Sequence, residues 1–115
     1  MVISFKNRKL EKAFNEDAQL EKLHGAKRAK KIRIRMTELR GAESLMDFWP
    51  PTSRPTRCHE LIGGKRKGTL SVDLDHPYRL IFVPDHDPVP RLEDGGLDWS
   101  QVTAEKILGV EDTHG

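Results

Sequence analysis

Cysteine is almost absent from this 115-residue chain: Cys58 is the only one. That excludes an internal disulfide and suits a reducing compartment. Long apolar runs are missing as well, and none approaches the ~18 residues of a membrane helix. The opening Met1-Val2-Ile3-Ser4-Phe5 has no basic region leading into an apolar one, so it does not read as a secretory signal. The expectation is a cytoplasmic protein with no membrane partner. Hydrophobic residues are scarce too, at 36%, below the usual share. Such a chain supports one modest core, a single domain over residues 1–115. A nucleotide-binding phosphate loop is also lacking. Gly63, Gly64 and Gly68 frame cations, but no Lys-Ser/Thr pair opens a helix there.

What the chain does have is charge, unevenly spread. Residues 1–84 carry 18 Lys/Arg against 10 Asp/Glu, and residues 85–115 carry 2 against 8. A net charge of +2 therefore hides a basic body and an acidic C-terminal segment. That asymmetry fits a polyanionic partner, nucleic acid first, and also fits an ordinary solvated surface.

Local pattern predicts the elements. Residues 2–5 read as a short strand. Leu10, Ala13 and Phe14 set a helix over 8–16. Ala29, Ile32, Met36 and Leu39 form an apolar stripe on a helix from about 24 to 40, with Gly41 as its stop. Lys27, Arg28, Lys30, Lys31, Arg33 and Arg35 fill most of the remaining surface. Residues 31–36 also alternate with period two, but length and the lack of internal Gly or Pro favour the helix. A proline-rich connection spans 49–57. Strands follow: Cys58 to Ile62, then Leu70, Val72 and Leu74 alternating as a half-buried strand. After a turn at Asp75-His76-Pro77, Tyr78 to Val83 is a central strand buried on both faces. Residues 84–98 are a solvated loop. Residues 102–110 satisfy both helical and strand periods. The order gives an α+β domain, two N-terminal helices on a largely antiparallel sheet.

Several residues carry candidate chemistry. Gly63-Gly64-Lys65-Arg66-Lys67-Gly68 can bring backbone N–H groups and three cations to an anion, though it also reads as a plain basic turn. Arg79, inside an apolar run, must find a partner or reach water. Asp73 across the hairpin and a bound phosphate are both open to it. His59 flanks a strand, and His114 lies near the end of the sequence. Asp85-His86-Asp87 is too sparse to read as a metal site.

Taken in order, His59-Glu60-Leu61-x-Gly63, Lys65-Arg66-Lys67-Gly68, Leu70-Ser71-Val72 and Tyr78-Arg79-Leu80-Ile81-Phe82 resemble the core of RelE/ParE-type toxins. The HigB branch, the plasmid maintenance killer proteins, is most similar. Val2-Ile3-Ser4-Phe5-Lys6, Asp98-Trp99-Ser100-Gln101-Val102-Thr103 and Glu111-Asp112-Thr113-His114-Gly115 extend the resemblance over nearly the whole chain. It implies a fold related to microbial ribonucleases, with a strand from about 102 to 112. It implies cleavage of messenger RNA in the ribosome, without metal or cofactor, under the control of a helix-turn-helix antitoxin. By the same resemblance His59 and His114 are the base and acid in unassigned order. Arg79 is the phosphoryl clamp, and Asp112 orients His114 or the RNA. Lys65, Arg66 and Lys67 would track neighbouring phosphates, while the helix face with Lys27, Lys30, Lys31 and Arg33 would grip ribosomal RNA, or part of it the antitoxin. Thr113 departs from the tyrosine common in the family and cannot stack on a base. Two other readings remain: a ParE-like gyrase inhibitor, which would lack the nuclease residues, and a non-catalytic RNA-binding module.

Overall fold

Val2–Phe5 extends as β1, and Asn7 then caps a helix by accepting the Leu10 backbone N–H at 2.9 Å. The structure, a computed structural model, describes residues 1–113. Helix α1, Arg8–Asn15, buries Ala13 and leans Leu10 and Phe14 on the core. Phe14 meets Phe5 edge to face at 5.6 Å.

Helix α2 runs Asp17–Gly41 and so begins well before residue 24. Leu20, in its first turns, is completely buried. Leu20 and Leu23 stand three apart, but Leu23 is 55% exposed, so the pair does not extend the apolar stripe that follows. Gly25 breaks the helix with φ 81° and ψ 159°, a backbone region open in practice only to glycine. Beyond the break Ala29, Ile32, Met36 and Leu39 are buried while Ile34 is 40% exposed. That is helical spacing, and it excludes the strand reading of 31–36. The helix does stop at Gly41, but an extended Ala42, not a left-handed glycine, ends it.

Three short strands and one long one follow: β2 His59–Leu61, β3 Thr69–Asp73, β4 Tyr78–Pro84 and β5 Ala104–Asp112. The sheet order is β1-β5-β4-β3-β2. β1 pairs parallel with β5, and the other pairings are antiparallel. β4 is central, as its continuous apolar run predicts. The ambiguous segment is a strand, held by β1 on one side and β4 on the other.

Register sorts the side chains into two faces. Leu70 with Phe82, and Val72 with Leu80, pair directly and pack with Ile107 against α2. Completely burying a side chain such as Leu80 or Phe82 contributes roughly 1.5–3 kcal/mol. The intervening residues project from the opposite face. His59, Ser71, Ile81 and Gly109 form one row across the strands, and Asp73, Arg79 and Glu111 the next. Ser71 and Ile81 are buried too, so β3 is covered on both faces rather than half-buried. A bulge between Ile81 and Phe82 places Leu108 outside the pairing and Gly109, at φ 149°, opposite Ile81.

Three of the basic residues on α2 are ion-paired within the protein. Arg28 lies 3.4 Å above the Tyr78 ring and pairs with Asp75 at 3.0 Å. Burial works to raise the Asp75 carboxyl, but the Arg28 hydrogen bonds and charge outweigh it and hold the group below its usual range. Arg33 reaches Asp17 and Glu21 at 3.6 Å. Arg35, only 6% exposed, donates to the carbonyls of Asp73 and Pro55 at 2.6 and 3.1 Å and to Glu38 at 2.9 Å. It ties α2 to the proline-rich loop and to the end of β3. No helix among the described residues is long and apolar enough to cross a membrane.

Candidate active site

Strand β2 starts where the proline-rich loop ends. Arg57, the last loop residue but one, has a left-handed φ of 52°, a conformation unfavourable for any residue with a side chain. Its carbonyl oxygen lies 3.1 Å from His59 Nδ1. The other ring nitrogen, Nε2, lies 3.1 Å from Arg79 Nη1. A carbonyl can only accept and a guanidinium can only donate. Both contacts are therefore satisfied by one species, the neutral imidazole with its proton on Nδ1 and its lone pair on Nε2.

Arg79 has a second partner. Its Nε lies 3.3 Å from Asp73 Oδ1, and Asp73 Oδ2 lies 3.3 Å from Arg57 Nε. The hairpin makes this inevitable, because Asp73 and Arg79 are paired across β3 and β4. The two fates open to Arg79 are thus combined: it is bound to Asp73 and still faces a cleft.

The cleft has a volume of about 380 Å³ and is lined by His59, Ile62, Gly63, Arg66, Arg79 and Thr113 among others. Its rim is the turn between β2 and β3, which tightens into a 3-10 turn at Gly64–Arg66. Lys65 and Lys67 are exposed there. Arg66 folds inward to Glu111 at 3.0 Å and donates to the Asp112 carbonyl at 3.4 Å. Both partners of this pair are well solvated, so it contributes little to stability. A broader hollow of about 480 Å³ lies against Arg8, Glu11 and Lys12 on α1 and holds no histidine.

The structure therefore brings together His59, Arg79 and Arg66, with Lys65 and Lys67 at the edge. It does not bring Asp112 to the same face. Asp112 pairs with Tyr78, one residue out of phase with Arg79, whose partner on β5 is Glu111. Glu111 joins Asp73 as an acidic residue on the site face, and sequence reasoning missed it because facing depends on register. Asp73 was weighed as a structural partner, but Arg57 carried no signal, since its backbone carbonyl is what holds His59. His114 lies outside the described residues. Lys27, Lys30, Lys31 and Arg33 sit on α2, behind the other face of the sheet.

Glu60 also lines the cleft, and other ionisable groups lie elsewhere. His86 Nε2 accepts the Thr103 and Ala104 backbone N–H groups at 3.1 and 3.2 Å, so its lone pair is committed. No cluster of metal-ligating side chains exists among the described residues. Burial, then the Arg28 charge, lowers the His24 imidazole against the pull of Asp75. Burial, with Glu105 and Glu60, pushes the Cys58 thiol far up, which leaves it inert as a nucleophile. Glu105 is fully buried on β5, with neither carboxylate oxygen hydrogen-bonded among the described residues. Burial raises it to about 8, against the opposing Met1 ammonium.

The geometry is suited to a phosphodiester. A neutral histidine accepts from a guanidinium through its lone pair, and Arg66 lies on the same cleft. No protein-family model, curated protein or solved structure matches this chain.

Proposed function

We propose that the protein is the toxin of a type II toxin–antitoxin pair, a RelE/HigB-like endoribonuclease that cleaves messenger RNA on the ribosome and stops translation. One observation carries the reading: His59 Nε2 and Arg79 Nη1 meet at 3.1 Å on a cleft that Arg66 also lines, with Lys65 and Lys67 exposed on the adjoining turn. The α+β order and the motif resemblance support it, as does the excess of positive charge before residue 85.

The chemistry follows from the side chains. The 2′-hydroxyl attacks the adjacent phosphorus and the bond to the departing 5′-oxygen breaks, leaving a 2′,3′-cyclic phosphate and a 5′-hydroxyl. His59, with its lone pair on Nε2, takes the 2′-hydroxyl proton as general base. Arg79 donates to the phosphoryl oxygens as negative charge grows on them. His114 returns a proton to the 5′-oxygen, a role taken from the resemblance alone. The lysines of the turn hold the neighbouring phosphates. The cognate partner is a helix-turn-helix antitoxin.

The test is single-turnover cleavage of message on programmed ribosomes, with analysis of the product ends. Cyclic phosphate and 5′-hydroxyl ends support the reading, and a 2′-deoxy substitution at the cut site should abolish cleavage. Ends carrying a 5′-phosphate would overturn the mechanism. Binding without cleavage would favour the RNA-binding module. Growth arrest with altered supercoiling and intact message would favour gyrase inhibition.

A further inference from the structure

Four contacts close a ring on the cleft side of the sheet. Arg57 carbonyl holds His59 Nδ1, His59 Nε2 holds Arg79 Nη1, Arg79 Nε meets Asp73, and Asp73 returns to Arg57 Nε. The ring poses a problem for catalysis. A base whose lone pair already accepts a hydrogen bond from a guanidinium cannot take a proton from a substrate at the same atom.

We propose that this ring is a resting state and that a phosphodiester displaces His59 as the partner of Arg79 Nη1, which frees Nε2 to accept the proton. Arg57 and Asp73 are the positioning residues of this exchange. The inference rests on the nuclease reading for the identity of the anion. A phosphate oxygen carries negative charge, so its bond to the guanidinium adds a charge–charge attraction that the neutral imidazole does not offer. Arg79 is 28% exposed and borders the cleft, so an incoming phosphate can reach it. The ion pair of Nε with Asp73 holds the guanidinium at the cleft, so Nη1 keeps its place while the imidazole gives way to the phosphate. The Arg57 carbonyl keeps the proton on Nδ1 throughout, so the freed lone pair remains on Nε2. The exchange itself only trades hydrogen bonds. The 2′-hydroxyl proton then moves to Nε2, and the resulting imidazolium still donates from Nδ1 to Arg57. The strained φ of Arg57 is where such a device would store its cost.

The experiment is heteronuclear nitrogen NMR of the His59 ring in the full chain. A 2′-O-methyl oligoribonucleotide is titrated in at low salt, offering phosphodiesters but no attacking hydroxyl. The free protein should show the Nδ1-protonated tautomer, and the Nε2 signal should move in step with oligonucleotide binding. In Asp73→Asn the Nε2 signal should be displaced before any RNA is added, with cleavage on programmed ribosomes lowered by roughly 100-fold, as for a misplaced catalytic group. The wild-type titration decides the matter alone should Asp73→Asn fail to fold. Binding with an unmoved Nε2, while ribosomal message is still cleaved, overturns the exchange and leaves the nuclease reading intact. A moved Nε2 in a wild-type protein that cleaves nothing supports the exchange and overturns the nuclease. Failure of the oligonucleotide to bind at low salt overturns the exchange, and cleavage on programmed ribosomes decides the nuclease reading separately.

Discussion

Arg79 makes two contacts from one guanidinium. Its Nε edge is tied to Asp73 at 3.3 Å while Nη1 meets His59. Arg79→Lys keeps the charge and loses the planar fork, so it cannot serve Asp73, histidine and phosphate from fixed directions. Cleavage should fall on the order of 10- to 1000-fold, the range for a lost transition-state donor. Thermal melting should change little, because the pair is partly solvated. Unfolding of Arg79→Lys would mark the residue as mainly structural. Glu105 is the opposite case, a buried carboxyl with no hydrogen-bond partner among the described residues. Its folded value of about 8 lies above the ordinary 4.5, so in the unfolded chain the group ionises first as pH rises. Its contribution to stability is intact below about pH 4.5 and is lost as the pH climbs to about 8. Glu105→Gln removes the ionisation. Melting curves of the two proteins should diverge across that interval, with the variant the more stable above it. Parallel curves would show that Glu105 finds a partner or water.

At the scale of elements, the break in α2 decides where its apolar surface falls. Gly25 lets the segment bearing Leu20 and the segment bearing Ile32, Met36 and Leu39 both reach the same core. A Cβ at Gly25 would meet no atom within 4 Å, so Gly25→Ala tests conformation and not packing. At φ 81° and ψ 159° it should cost about 1–3 kcal/mol, measured by denaturant unfolding. A neutral result would mean that the helix can run straight through and repack. The β3–β4 hairpin does the converse work for the site. Its register puts Asp73 beside Arg79, and the Arg35 bond to the Asp73 carbonyl holds that register from the helix side.

On the scale of the whole molecule, the sheet separates two basic surfaces. Arg66 lines the cleft and Lys65 and Lys67 lie exposed on the same turn, while Lys27, Lys30 and Lys31 belong to α2 behind the other face. Arg28, Arg33 and Arg35 of α2 are engaged within the protein, which leaves the lysines to meet a partner. Replacing Lys27, Lys30 and Lys31 with Gln should weaken ribosome binding. Its salt dependence should flatten by about one unit for each phosphate no longer neutralised. Cleavage of message already bound should persist. An unchanged salt slope would assign this face to the antitoxin.

Period and composition were enough to determine the α+β order, the central burial of β4 and the turn at Asp75-His76-Pro77. These features depend on local propensity and on alternation over a few residues, which a sequence displays directly. The segment 102–110 was different. Ala104, Ile107 and Leu108 suit a helix as well as a strand, and only pairing with β1 and β4 makes β5 a strand, because the neighbours satisfy its backbone groups on both sides. The site was legible in part. His59, Arg79 and the basic turn stand out by residue type, and Asp73 follows from the hairpin. Arg57 and Glu111 do not stand out, since one acts through a strained backbone carbonyl and the other through a register set by residues far away in the chain. The neutral tautomer of His59 and its contact with Arg79 were decided by tertiary structure alone, because hydrogen-bond direction depends on which donor and which acceptor the fold brings together.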